Sequence, residues 1–126
     1  MKISIITINY NNLNGLIKTI QSVLSQTNND FEYIIIDGGS TDGSKEFLQE
    51  NSSSFDFWVS EPDNGIYDAM NKGINQAKGE YLLFLNSGDC LFNQDSIFKF
   101  INECDKNYDL FYSNLLIDYG KNKKTF

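Results

Sequence analysis

Histidine is absent from the 126 residues. Its absence excludes His-ligated zinc sites and any Ser/His/Asp or Cys/His nucleophilic system drawn from these residues. Cysteine is scarce. Cys90 and Cys104 are too few for a disulfide scaffold and lack the paired spacing of a metal site, so they read as reduced thiols of a cytosolic protein. Basic side chains are also few, 10 Lys and Arg against 17 Asp and Glu, for a formal charge of −7. Such a balance argues against nucleic acid as a partner, because non-specific binding rests on neutralising phosphates. A phosphate-bearing ligand would need a divalent cation or backbone amides as its counter-charge. No run approaches the ~20 apolar residues of a transmembrane segment. The apolar start, Met1-Lys-Ile-Ser-Ile-Ile-Thr7, is brief and lacks a small-residue cleavage region, so it reads as a strand rather than a signal peptide.

What is present describes one packed domain. Hydrophobic content is 40% and charged content 21%, enough for a core rather than disorder, and a chain of this length buries about two-thirds of its unfolded surface. Short apolar runs alternate with stretches of helical period. Strands are expected over 2–9, 31–37, 55–60 and 81–85, with a fifth over 109–117. Helices are expected where Leu13, Leu16, Ile17, Ile20, Val23 and Leu24 recur at 3–4 spacing, and from 40–44 onward with Asp42 or Ser44 as cap and Phe47-Leu48 inward. Two more are expected over 65–77, with Ile66, Ala69, Met70, Ile74 and Ala77 on one side and Gly79 closing it, and over 96–104. Strand and helix alternate four times, which implies right-handed crossovers and a Rossmann-like three-layer α/β/α fold with a mostly parallel sheet. The tail 120–126 is basic and polar and is read as lacking a closing element.

Candidate chemistry gathers at the strand ends, where open α/β sheets bind ligands. Thr7-Ile-Asn-Tyr-Asn-Asn12 ends the first strand. Asn11 or Asn12 is expected to cap the first helix, Thr7 and Asn9 to meet a ligand, and Tyr10 to pack on a ring. Asp37-Gly-Gly-Ser-Thr-Asp-Gly43 is a tight strand-to-helix turn without the Gly-x-Gly-x-x-Gly dinucleotide pattern. Asp37 suits a base N–H or ribose hydroxyl, and Asp42 suits a helix cap. In Asp63-Asn-Gly-Ile-Tyr-Asp-Ala-Met-Asn-Lys-Gly73, Asp68 and Asn71 share a helix face; that face serves a ligand or is merely solvated. Asn86-Ser-Gly-Asp89 is a metal candidate, because Mg²⁺ and Mn²⁺ accept one or two carboxylates with substrate phosphates and water. The same residues would equally serve as a turn cap before Leu91-Phe92. Phe55, Phe57 and Trp58 are assigned to ordinary burial.

Four motifs in order, Thr7-Ile-Asn-Tyr-Asn-Asn12, Ile36-Asp-Gly-Gly-Ser-Thr-Asp-Gly43, Asp63-Asn-Gly-Ile-Tyr-Asp-Ala-Met-Asn-Lys-Gly73 and Gly79-Glu-Tyr-Leu-Leu-Phe-Leu-Asn-Ser-Gly-Asp89, resemble the family-2 glycosyltransferases over residues 2–118. The resemblance implies a GT-A fold whose Rossmann-like half binds a nucleotide-sugar, commonly a UDP-sugar. It places Thr7, Asn9 and Asp37 at base and ribose, and Asp68 and Asn71 beside the nucleotide pocket. Asn86, Ser87 and Asp89 fall in the metal motif, with Asp89 holding Mn²⁺ or Mg²⁺ against the diphosphate. The implied reaction is an inverting displacement at the anomeric carbon toward a saccharide or lipid-linked acceptor, with a carboxylate base. Asn86 and Gly88 stand where many members carry aspartates, and Met70 where many have Arg. Family members continue for roughly another hundred residues, which supply the acceptor site and base. The C-terminal acceptor part is therefore read as missing, and no catalytic residue is assigned; neither Asp109 nor Asp118 is singled out.

The expected protein is the donor-binding portion of a bacterial surface-polysaccharide glycosyltransferase, cytoplasmic and compatible with a peripheral place at the inner face of the membrane. An apolar edge left at its end would favour a homo-oligomer. The alternative is a catalytically incomplete nucleotide-binding module that needs a partner or the missing C-terminal half. A nucleotidyltransferase ranks last, because no glycine-rich, Lys/Arg-bearing loop follows the first strand.

Overall fold

The computed structural model describes residues 3–104, 116–119 and 122–125, and side chains within 3–102. Four strands, β1 (Ile3–Asn9), β2 (Phe31–Asp37), β3 (Phe57–Ser60) and β4 (Tyr81–Phe84), form a sheet in the order β3-β2-β1-β4. All its pairings are parallel. Parallel neighbours need crossovers rather than hairpins, and α1 (Leu13–Leu24), α2 (Ser44–Glu50) and α3 (Ile66–Gln76) supply them, with α4 (Ser96–Cys104) following β4.

Alternation along the strands sorts the core into two halves. Ile3, Ile5, Tyr33 and Ile35 face Leu16, Ile20 and Val23 of α1, Leu48 of α2 and Ile97 of α4. Ile6, Ile8, Ile34 and Ile36 face Ala69 of α3. Covering both faces is what makes β1 and β2 read as near-continuous apolar runs. The expected three-layer α/β/α architecture is the one found. Phe55 and Trp58 pack in the first half and Phe57 in the second.

Several boundaries and faces differ from expectation, each for a local reason. Phe55 and Asp56 lie outside β3, because the Asp56 carboxylate takes the Tyr33 N–H at 2.7 Å in place of a ladder carbonyl. β4 ends one residue early, although the Leu85 N–H still reaches the Ile6 carbonyl. On α3, Ile66 and Ile74 remain 49% and 42% exposed, while Ala69 and Gly73 are buried. The helix lies close on the sheet through its small residues: a Cβ on Gly73 would come within 2.5 Å of Ile6 Cγ2. Leu24 on α1 is likewise half-exposed.

Gly79 does not close α3, whose cap is Ala77. It is needed where the chain crosses β1, since a Cβ there would stand 2.6 Å from the Ser4 nitrogen. Buried Glu32 secures this crossing by accepting from Ser4 Oγ and the Lys78 N–H, while Gly79 N–H donates to Ser4 Oγ.

Of the fifth strand expected over 109–117, residues 109–115 lie outside the described residues. Residues 116 and 117 belong to β5 (Leu116–Tyr119), which pairs antiparallel with β6 (Asn122–Thr125) in a separate two-stranded sheet. The tail therefore contains a strand, contrary to its polar reading. Register pairing sets Asp118 opposite Lys123. Among the described residues no helix is long and apolar enough to cross a membrane.

Candidate functional site

The strand order carries the first functional consequence. The chain steps outward from β1 to β3, then α3 returns across the opposite face to place β4 on the other side of β1. Right-handed crossovers in opposite directions put their helices on opposite faces. At such a reversal, here between β1 and β4, open α/β sheets bind ligands in the crevice beyond the carboxyl ends of the strands.

A polar row closes the sheet beside that crevice. Asn9, Asp37 and Ser60 are register partners across β1, β2 and β3. Asp37 is fully buried and accepts four hydrogen bonds: Asn9 Nδ2 at 2.8 Å, Ser40 N–H at 2.9 Å, Ser40 Oγ at 2.6 Å and Ser60 Oγ at 2.7 Å. Burial alone would push its pKa up, but the bonds from Ser40, Ser60 and Asn9 outweigh it and hold the carboxyl below its ordinary value. Asp37 thus spends its acceptor capacity inside the protein. Thr7 is also internal, its hydroxyl 2.8 Å from that of Tyr33, whose phenol pKa burial pushes up. Both side chains are buried and make these hydrogen bonds inside the protein.

The loops follow from this row. Asn12 caps α1 by accepting from the Gly15 N–H, and Asn11, at φ 47°, accepts from Thr41 N–H. Asp42 is the expected cap in a modified form. Gly43 holds the N-cap position of α2, and the Asp42 carboxylate bonds the Ser44 N–H and hydroxyl and the Leu13 N–H. Those bonds lower its pKa, the Ser44 hydroxyl contributing most.

The turn after β4 is pinned from α1. Thr19 Oγ donates to the Asp89 carbonyl at 2.6 Å and accepts from the Gly88 N–H at 2.9 Å, while Asn12 Nδ2 reaches the Ser87 carbonyl at 3.3 Å. Ser87 N–H extends the ladder to the Ile8 carbonyl, and Asp89 N–H closes the turn on the Asn86 carbonyl. Sequence reading missed Thr19; its signal was a threonine interrupting an apolar helix face. Gly88 sits at φ 98°, and Asp89 is exposed.

Among the described residues, three buried polar atoms in this strand-end region lack a hydrogen-bond partner: Asn9 Oδ1, Asn86 Oδ1 and Ser87 Oγ. Buried polar atoms are nearly always paired, so three together, on the adjoining ends of β1 and β4, mark a place suited to further donors or acceptors.

At the start of α3, Asp68 accepts from the Asn64 N–H at 3.0 Å, and Asn71 is exposed, as its solvated reading allowed. Lys72 pairs with Glu61 at 3.0 Å, and that hydrogen bond holds its ammonium above the ordinary pKa. All ten basic residues of the chain are lysines, so no guanidinium is available to grip a diphosphate in two places.

Among the described residues no group of three or more His, Cys, Asp or Glu side chains gathers to hold a metal ion. The free carboxylate of Asp89 and the unpartnered Asn86 Oδ1 are nevertheless hard oxygen donors within one turn. They fit Mg²⁺ or Mn²⁺ where a diphosphate supplies further oxygens.

Comparison with known proteins agrees with this geometry. Residues 4–126 match the family described as Glycosyl transferase family 2. An uncharacterized glycosyltransferase of Mycobacterium tuberculosis is 45% identical over 96 residues, 75% of this chain and 37% of the relative. A PGL/p-HBAD biosynthesis glycosyltransferase of Mycobacterium bovis is 35% identical over 104 residues, 78% of this chain and 40% of the relative. The chain thus spans well under half the length of these relatives. Staphylococcus aureus TarS, in complex with UDP, superposes with a TM-score of 0.75 at 25% identity, covering 84% of this chain and 32% of that one. The mannosyltransferase PcManGT of Pyrobaculum calidifontis, in complex with GDP-Man and Mn²⁺, shares the fold with a TM-score of 0.69 at 19% identity, covering 76% and 30%. By sequence and by fold, the chain belongs to glycosyl transferase family 2.

Proposed function

We propose that this chain binds the nucleoside diphosphate of a sugar donor, uridine diphosphate in particular, in the crevice between β1 and β4. It is the donor-binding portion of a transferase that moves the sugar, with inversion, to a saccharide or lipid-linked acceptor. The observation that carries the reading is the set of unpartnered buried atoms, Asn9 Oδ1, Asn86 Oδ1 and Ser87 Oγ, at the reversal of strand order. Ribose hydroxyls can donate to the two amide oxygens, and Ser87 Oγ can donate to a phosphate or hydroxyl oxygen. Tyr10, 66% exposed where β1 ends, offers a ring face. The UDP complex of TarS supports uridine over other bases.

Asp89 and Asn86 would hold the metal, which when bound offsets the charge that develops on the departing diphosphate. The residues of this chain orient the donor. An acceptor oxygen then attacks the anomeric carbon from the face opposite the diphosphate, the bond to the phosphate oxygen breaks with its electron pair, and the acceptor proton passes to a base. The longer relatives favour a second reading, in which these residues bind donor but turn it over only with further chain.

Titration of UDP by calorimetry with Mn²⁺ and with EDTA, on wild type and Asp89→Ala, tests the assignment. Binding is expected to need the metal and to weaken at least tenfold, about 1.4 kcal/mol, in the variant. Binding indifferent to both metal and Asp89 removes the metal assignment and leaves the nucleotide crevice; no binding under any condition removes both.

A further inference from the structure

We infer that Thr19, in the middle of α1, is a positioning residue for the turn after β4. Its hydroxyl sets where Asp89 stands, and through Asp89 how tightly the nucleoside diphosphate is held. The inference rests on the nucleotide and metal reading above and adds the residue that pre-forms the site.

α1 carries polar side chains on a face that is otherwise apolar. Thr19, Ser22 and Gln26 follow at spacings of three and four, among buried Leu16, Ile20 and Val23. Each holds a different part of the segment that follows β4. Gln26 donates to the Asn93 carbonyl at 2.8 Å and accepts the Ile97 N–H at 3.1 Å. Ser22 Oγ accepts the Leu91 N–H at 2.8 Å. Thr19 takes the metal turn itself: its Oγ lies 3.3 Å from the Asn86 carbonyl, 2.9 Å from the Gly88 nitrogen and 2.6 Å from the Asp89 carbonyl. A threonine inside a helix often returns its hydroxyl to its own backbone; this one serves another segment.

The two short bonds differ in what depends on them. The Gly88 N–H has a second acceptor in the Gly15 carbonyl at 3.1 Å. Among the described residues the Asp89 carbonyl has no donor but Thr19. Asp89 is thus fixed on both sides, its N–H on the Asn86 carbonyl at 2.9 Å and its carbonyl on Thr19, while the residue is exposed. The turn needs that hold, because Gly88 at φ 98° gives it conformational freedom. Order supplied in advance spares the bound complex the cost of fixing the turn.

Valine at 19 keeps the shape and removes the donor. A methyl carbon and a carbonyl oxygen meet no closer than about 3.3 Å, so the 2.6 Å contact cannot persist and the turn retreats by roughly 0.7 Å. Metal sites tolerate about 0.2 Å in ligand distance. Gly88 keeps its bond to Gly15, which lets the variant fold while Asp89 moves.

The test measures UDP binding by calorimetry with Mn²⁺ present, with thermal melts, for wild type, Thr19→Val, Thr19→Ser, Ser22→Ala, Asp89→Ala and the double variant of Thr19→Val with Asp89→Ala. Thr19→Val should weaken UDP about tenfold. Thr19→Ser, which keeps the hydroxyl, should stay within about threefold of wild type. In the Asp89→Ala background valine should add less than about twofold, because its effect runs through that carboxylate. Ser22→Ala loses a bond of the same kind from the same helix face, and should lower the melting temperature yet bind UDP as wild type does. Thr19→Ala, which lacks the crowding methyl, replaces valine under the same criteria if valine does not fold. Equal weakening by Ser22→Ala and Thr19→Val makes the role structural and overturns the assignment. So does a valine variant that binds as wild type does, or one whose full loss persists without Asp89; in these cases wild-type binding that needs Mn²⁺ leaves the nucleotide and metal reading standing. Wild-type binding that ignores both Mn²⁺ and Asp89→Ala defeats the metal reading and this inference together, and no binding at all defeats the nucleotide reading as well.

Discussion

Asp37→Ala is expected to lose about 4 kcal/mol of stability or more, because several buried donors are left unmade and each costs about 1–3 kcal/mol. Asn9 Nδ2, Ser40 Oγ, Ser40 N–H and Ser60 Oγ all end on this carboxylate. They come from β1, the β2–α2 turn and β3, so the loss loosens three elements at the ligand edge together. Asp37→Asn keeps the shape but turns an amide nitrogen toward one of those donors in either orientation, and should fall between wild type and alanine. The folded pKa of Asp37 is lowered, while an unfolded aspartate titrates near about 3.9. Its contribution is therefore fully present above that value and is lost as pH falls through the lower folded pKa. Urea denaturation at neutral pH, repeated toward acid, measures both effects. An alanine variant within 1 kcal/mol of wild type, a difference at the scale of one ordinary hydrogen bond, would show that the row is not what fixes the strand ends.

The same row shows where sequence reading succeeds and where it stops. Asn9 and Asp37 were legible as strand-end residues, because apolar runs terminate at them. That they also meet each other depends on register, Asn9 opposite Asp37, and register is a tertiary fact. Thr7 is the clearest instance: it stands two residues before the strand end, on the face that packs against Tyr33, and only the pairing of β1 with β2 puts the two hydroxyls 2.8 Å apart. The layers were legible for the opposite reason. Covering both faces demands apolar residues at nearly every strand position, and that signal survives in one dimension. On helix α3 the expected face holds for Ala69, Met70 and Ala77 but not for Ile66 and Ile74, since close packing favours the small Ala69 and Gly73 over those larger side chains.

Gly39→Ala is the second change expected to act strongly, and it couples stability to binding. Gly39 has φ 82°, where an L side chain costs about 1–2 kcal/mol. A Cβ there would also meet the Pro62 nitrogen at 2.9 Å and its Cα at 3.2 Å. These are backbone atoms, so relief requires moving the β3–α3 loop, with an overpacking cost of about 1–3 kcal/mol. Together the terms predict a loss of roughly 2–5 kcal/mol. The direction of relief matters more for function: pushing Pro62 away carries Asp63 off Gly38. That loop follows β3 at the ligand edge of the sheet, so UDP affinity should fall about tenfold in whatever fraction stays folded. Gly43→Ala is the control, since Gly43 also has φ 97° but its Cβ would meet only Leu13 Cδ2 at 3.3 Å. It should lower stability by the left-handed cost alone and leave UDP affinity untouched. If the two variants weaken UDP equally, or Gly39→Ala binds UDP as wild type does, then the packing of Pro62 on Gly39 does not shape the nucleotide site.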